Sequence, residues 1–405
     1  MKPTLMLLAL CMALVASAQQ TITVNVENPS KTVLTDQPVV INLEKYGEVH
    51  SAIVMADGQE IPCQLDDLNQ DEQYDELCFL ADLVAREKKT YMVKLYADGE
   101  PRSYPARVFA EMLVRNDKVK EKNKHDNYLQ SITVRGDCAN SYNIQHHHGV
   151  DFESELNGIR IYFDKRQTLD LYGKFHKRLE LQATQFYTSP EQKQQGYGDD
   201  VLWVGNTFGL GAFRGWDQQQ QKPTMIEPVK TRTQRIISYG PLRTIVEVID
   251  QGWQIVPEKP ALNMTLRYTQ YAGHRDTDVD VFFNRDATDY PFSTGVINVK
   301  GSTEFNDNMG LRGCWGTDYP STDTLAWKPE TVGLAVYVPK ENIVFMPKAD
   351  KDNYTLVVRP QGKHMAYKVA YCSANEEFGF HNAEEWFQWM RQWRVEVEHP
   401  IKVKY

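Results

Sequence analysis

From His146 to Lys174 the chain reads HHHGVDFESELNGIRIYFDKRQTLDLYGK, and apolar and polar side chains alternate with the two-residue period of a β-strand. Asn157-Gly158 has the composition of a two-residue hairpin turn, so the expected register puts Leu156 opposite Ile159. Pairing outward then sets Glu155 against Arg160, Glu153 against Tyr162 and Asp151 against Asp164. Val150, Phe152, Leu156, Ile159, Ile161 and Phe163 fall on the other face. After a turn at Lys165-Arg166 a third run continues the alternation, with Leu169 and Leu171 inward and Asp170, Tyr172 and Lys174 outward. The expectation is a three-stranded meander with one apolar face and one dense polar face. Carboxylates mixed with Tyr, Arg and Lys beside a run of histidines suit a chemical site better than a merely solvated sheet surface.

The rest of the chain is read in the same terms. Met1 to Ala18 has a lysine, an apolar run and Ala16-Ser17-Ala18, the pattern of a secretory leader that ends before Gln19. No later segment has the roughly 20 apolar residues of a membrane span, so a periplasmic or extracellular protein is expected. The charge of −9, or −10 without the leader's one lysine, disfavours nucleic acid but not an acidic ligand, because clustered Arg and Lys can invert the potential of one cleft. Residues 19–114 carry short strands (TITVNVEN, QPVVINLE, SAIVMADG, ELCFLADL, TYMVKLYA) and read as a small β-sandwich. The charged run at 115–127, RNDKVKEKNKHDN, reads as a linker or loop, and 128–405 as a large β domain. One amphipathic helix is expected over Ala383 to Arg394, followed by a strand in VEVEHPIKVKY. The fold class is therefore all-β. Cys63, Cys78, Cys138, Cys314 and Cys372 are odd in number and widely spaced, so they read as buried small hydrophobes with at most one or two disulfides.

Three further segments carry candidate residues. Asp67, Asn69, Asp71 and Asp75 place oxygen ligands as a structural calcium loop would, although Glu72 stands where such loops prefer glycine. In GYGDDVLWVGNTFGLGAFRGWD the glycines lack the ending of a phosphate loop and point instead to close approach of a backbone or ligand. Asp199, Asp200, Trp203, Asn206, Arg214 and Trp216 are then groove residues or tight sheet packing. His274 and Arg275 sit at a hairpin tip, with Asp276, Asp278 and Asp280 on one face of the returning strand.

HHHGVDFESE, RIYFDKRQTLDLYGK, the glycine-rich segment, YAGHRDTDVDV and QLDDLNQDEQYDELCFLADL together resemble a secreted bacterial family catalogued as domain of unknown function 4861, over nearly the whole chain. The family is similar in context to polysaccharide-utilisation proteins of Bacteroidota. The resemblance implies a large domain like the supersandwich of galactose mutarotases and polysaccharide lyases, and action on glycans that often contain uronate.

Lyase cleavage of such a glycan needs a neutraliser for the substrate carboxylate, a base for the C5 proton and an acid for the leaving oxygen. His147 or His148, Tyr162 and Tyr172 are candidate bases or acids, with His148 preferred and Tyr162 its partner. Arg160, Lys174, His274 and Arg275 are candidate neutralisers. A hydrolase would instead use two facing carboxyls such as Glu153 and Asp170, with Glu155 nearby. A non-catalytic sugar-binding protein or an epimerase on the same scaffold is the third reading.

Overall fold

The computed structural model describes residues 19–405, and the expected leader lies outside the described residues. The alternation of Thr21 to Val26 turns Ile22, Val24 and Val26 inward from strand Gln19–Glu27. That strand lies between Lys88–Tyr96 and Lys402–Lys404, and Ser51–Ala56 and Gln59–Ile61 complete a five-stranded sheet. A second sheet of Leu34–Asn42, Glu76–Leu83 and Cys63–Asp66 closes a small sandwich over Val24, Val39, Ile41, Val54, Leu77, Phe79 and Val93.

A larger unit is built on a nine-stranded antiparallel sheet. Its central strands are Glu330–Tyr337, His364–Ser373, Asp276–Phe283, Leu262–Tyr271 and Arg243–Trp253. Two five-stranded sheets pack on it, one from Val108–Glu111 to Asp199–Asp200 and one centred on Phe292–Ile297. Phe152, Ile159, Ile161 and Leu171 from the first and Phe292, Val296 and Leu356 from the second meet Val246, Leu266, Tyr268, Val279 and Val281 of the broad sheet in one core. The architecture is a supersandwich with a small sandwich beside it. Strand Val108–Glu111 pairs with Gly149–Ser154, so the large unit begins ahead of the charged run at 115–127.

Helix Ala383–Glu398 is capped by Asn382, whose side-chain oxygen accepts the Glu385 N–H at 3.0 Å, and carries Glu384 and Glu385 in its first turn. It buries Trp386, Met390 and Trp393 against Leu311, Ala335, Tyr337 and Cys372. Gly333 makes room for this, since a Cβ there would lie 2.8 Å from the Trp386 ring. The helix runs four residues past the expected Arg394. The VEVE alternation is overridden because Val397 packs on the same core and Glu398 pairs with Arg394 one turn back, and only Lys402–Lys404 is a strand. All five cysteines from Cys63 to Cys372 are free, so no disulfide forms among them.

Candidate active site

The meander forms with a shifted register. Strand Gly149–Ser154 pairs with Gly158–Tyr162 so that Asp151 faces Arg160 and Glu153 faces Gly158, and Arg160 faces Asp170 on Leu169–Gly173. The shift from the expected pairing is an even number of residues, so each side chain keeps its expected face. The turn is centred on Glu155-Leu156, closed by the Ser154 N–H to the Asn157 carbonyl at 3.0 Å, and the Asn157 side chain is used elsewhere. Its amide donates to the Arg275 carbonyl at 2.8 Å, and Ser154 donates to the His274 carbonyl at 2.9 Å, docking the turn on the Tyr271–Arg275 hairpin.

The polar face is buried rather than open, because residues 175–198 fold over it. Glu153 accepts from Lys174 at 2.5 Å and from the backbone N–H groups of Glu180 and Leu181 at 2.8 Å, and both charged side chains are fully buried. Burial pushes the Glu153 carboxyl up, while Lys174 and the amides pull it back. The single proton of the Tyr172 hydroxyl is shared between Glu180 at 3.0 Å and the Gly198 carbonyl at 2.8 Å. Arg160 bonds Asp170 and reaches Asp200 at 3.3 Å, and Tyr162 donates to Asp170 at 2.6 Å. Thus Glu153, Arg160, Tyr162, Asp170, Tyr172 and Lys174 are tied into buried networks, with neither carboxylate of the Glu153–Asp170 pair open to a ligand, while Arg160 keeps its Nε and Nη1 buried without a partner.

Beside these networks lies a cluster that is not closed. Glu111, His147 and Asp151 are buried, and their ligand atoms lie within 4.8 Å of one another. His147 Nε2 is 3.5 Å from Asp151 and 3.7 Å from Glu111. None of the two imidazole nitrogens and four carboxylate oxygens has a hydrogen-bond partner of proper geometry. Burial, then neighbouring carboxylates, push both acids well above their ordinary values, and burial with the cationic surroundings pushes His147 down.

His146 and His148, on either side of His147, line a cleft of about 390 Å³ together with Arg115, Lys120, Lys122, His125 and Tyr187. His148 has φ +72°, a left-handed conformation uncommon for a residue with a side chain, and its ring stacks on Tyr142 at 3.9 Å. Its Nδ1 lies 3.1 Å from the Tyr142 carbonyl, which can only accept, so the proton sits on Nδ1 and Nε2 keeps its lone pair. Burial, then the charge of Arg160, push His148 down to about 4. His146 gives a proton to the Lys122 carbonyl, leaving its Nδ1 as the lone-pair nitrogen, and burial and His125 bring it to about 4. Both rings are therefore neutral near pH 7. Burial holds the Tyr187 phenol above its ordinary value, so it keeps its proton.

A broader groove of about 1050 Å³ is lined by Trp203, Asn206, Arg214 and Arg166, with Trp203 53% exposed. Arg166 lies 4.7 Å from the Tyr142 ring on which His148 stacks, so one tyrosine ring stands between Arg166 of this groove and His148 of the cleft. Arg214 is buried and spends its donors on the Arg166, Asn206 and Thr207 carbonyls and Thr168. With no carboxylate bonded to it, burial pulls it down to about 9.

The other expected residues lie apart from both. Trp216 packs on Phe345, and Asp199 pairs with Lys193. Arg275 is held by Glu376. Glu155 binds Arg107 and the Gly273 N–H, and His274 bridges Asp276 and the Asp36 carbonyl, both where the small sandwich meets the large unit. Asp67 accepts the N–H groups of Asn69, Gln70, Asp71 and Glu72, so its carboxylate closes a turn, and Asp75 accepts from Leu68 and Asn69. Asp71 accepts from Gln73 in the same turn.

Sequence reasoning missed Arg115, Lys120, Lys122 and His125 by treating 115–127 as a linker. Its density of cations was the available signal. Glu111 and Tyr187 sit in unremarkable contexts, and nothing in the sequence alone marks them.

No curated protein matches the chain. Among solved structures it is similar to an alpha-mannosidase from Enterococcus faecalis V583, at TM-score 0.50 and 9% identity over 95% of this chain and 46% of that one. It is also similar to a protein in glycosyl hydrolase family 38 from Enterococcus faecalis, at TM-score 0.49 and 9% identity over 94% of this chain and 47% of that one. The chain thus spans about half the length of these structures, and the first likeness supports the fold alone. The model of the family described as Domain of unknown function (DUF4861) matches residues 26–403, and the chain belongs to that family.

Proposed function

We propose that this protein is a carbohydrate-active enzyme that cleaves a uronate-containing poly- or oligosaccharide by β-elimination, in the cleft between the histidine run and Tyr187. The observation that carries the reading is the composition of that cleft: Arg115, Lys120 and Lys122 beside His146, His148 and Tyr187. These supply the three parts the reaction requires. The cations neutralise the uronate carboxylate and so acidify its C5 proton. His148 Nε2, its tautomer set by the Tyr142 carbonyl, accepts that proton. The C5–H electrons form the C4–C5 double bond, the C4–O bond breaks, and the Tyr187 phenol gives its proton to the departing oxygen. The left-handed backbone at His148 is the kind of local strain that surrounding structure maintains at functional positions. Likeness in fold to a mannosidase adds sugar chemistry by analogy only.

A second reading, sugar binding without cleavage, is favoured by Trp203, whose exposed ring on the broader groove offers a stacking platform. Hydrolysis by Glu153 and Asp170 is disfavoured because both are sealed in hydrogen-bonded networks. A panel of acidic and neutral polysaccharides separates the three. Ultraviolet absorbance of unsaturated uronate supports the lyase. Reducing ends without absorbance indicate a hydrolase and overturn the proposal, as does retardation in an affinity gel with no product.

A further inference from the structure

Glu111, His147 and Asp151 come from three places that the fold brings together: strand Val108–Glu111, the loop entering the meander, and strand Gly149–Ser154, where Asp151 pairs with Glu111. Each side chain is at most 1% exposed and has no hydrogen-bond partner of proper geometry. Two buried carboxyl groups and an imidazole left in that state forfeit their hydration with nothing in return. Protonating the acids removes their charge but still leaves their O–H and C=O groups unpaired. The nearest cation does not resolve this: Arg160 faces Asp151, but only its Nη2 is bonded, to Asp170 and Asp200, and its Nε and Nη1 are themselves buried without a partner.

The spacing points to another solution. An ion with tetrahedral bonds of about 2.1 Å holds its donors about 3.4 Å apart. The His147–Asp151 and His147–Glu111 separations of 3.5 and 3.7 Å are close to that edge. One imidazole and two carboxylates form a mixed nitrogen and oxygen set, which suits zinc or manganese and is unlike an all-oxygen calcium cage.

We propose that Glu111, His147 and Asp151 bind one divalent transition-metal cation of the zinc or manganese type. The ion ties the two strands to the histidine loop beneath the cleft floor. The inference does not depend on the glycan reading, since its test measures metal and folding rather than turnover.

The test uses the chain from Gln19 to Tyr405, stripped with chelator and titrated separately with zinc, manganese and calcium. Expected is about one zinc or manganese ion bound per chain, a rise in the unfolding midpoint with metal, and no such response to calcium. Asp151→Asn and His147→Ala should each weaken metal binding more than about 10-fold and abolish the rise. Asp151→Asn keeps the shape and cannot ionise, so its metal-free form should be at least as stable as metal-free wild type. If a variant fails to fold, the wild-type titration still decides. Wild type that takes up no zinc or manganese, or unfolds identically with and without them, overturns the proposal and leaves a buried acid pair with an imidazole.

Discussion

Glu153→Gln probes the buried network most sharply. The wild-type carboxylate meets the Lys174 ammonium at 2.5 Å and takes three contacts of 2.8 to 2.9 Å from the Glu180 and Leu181 amides. Lys174 has spent all three protons, on Glu153 and on the Ser154 and Arg178 carbonyls at 2.7 Å each. A neutral amide keeps an oxygen for the backbone N–H groups but leaves a fully buried ammonium with no counter-charge. Removing one partner of such a pair costs about 3 to 5 kcal/mol, which is a third or more of the total stability of many domains. The intact pair need not outperform an apolar one, so Glu153→Gln/Lys174→Met should recover much of the loss. Urea unfolding followed by tryptophan fluorescence and by near-ultraviolet circular dichroism measures wild type and both variants. A Glu153→Gln protein within about 0.5 kcal/mol of wild type, or a double variant no better than the single, would refute the reasoning. The account also expects the folded fraction of Glu153→Gln to keep its turnover, the opposite of what a catalytic carboxylate would show.

Trp203→Ala should abolish retardation in a polysaccharide affinity gel while leaving the melting curve unchanged, because the ring is largely exposed and seals no core; unaltered retardation would remove Trp203 from the binding surface. Asp67→Ala should cost about 1 to 2 kcal/mol by releasing the turn amides its carboxylate accepts. The same loop holds the calcium ligands expected at Asp67, Asn69, Asp71 and Asp75, and a calcium-selective chelator tests them: a fall in the wild-type midpoint would place calcium in this loop, and an unchanged midpoint would remove it. Burial lowers the His274 pKa, but Asp276 outweighs it, so the folded value lies above the ordinary one. Stability from this contact is therefore complete below about pH 6.5 and is lost as pH rises through the higher folded value. Melting at about pH 6 and about pH 9 should show the decline in wild type and a smaller one in His274→Gln; equal declines would contradict it.

Much of this architecture was legible because period-two alternation is a strong signal. It separated the two faces of the meander even though the pairing was misplaced, since an even shift preserves sides. The pairing itself was hidden, because Asn157 is committed to the Arg275 carbonyl, a partner 118 residues away that no local rule anticipates. Nor does the sequence show that the polar face is covered: residues 175–198, which fold over it, carry no motif for doing so. The sequence pointed to the histidine run, but not to which ring does what. His148 faces the cleft with a free Nε2, while His147 turns inward to Glu111 and Asp151, a division set by the backbone at His148. The late helix hid its last turn behind an alternating VEVE, where packing of Val397 overrode local pattern.

The central claim is that His148 removes a proton in the cleft. Its most direct test is turnover of His148→Asn on a uronate-containing polysaccharide that wild type cleaves, followed by the absorbance of unsaturated product. Asparagine tolerates the left-handed backbone, so the substitution removes the imidazole, with its stack and hydrogen bond on Tyr142, without straining the chain. The account predicts a loss of about 100- to 10,000-fold in rate per folded molecule, whatever the lost Tyr142 contacts take from the melting midpoint. Wild-type turnover by folded His148→Asn would contradict it.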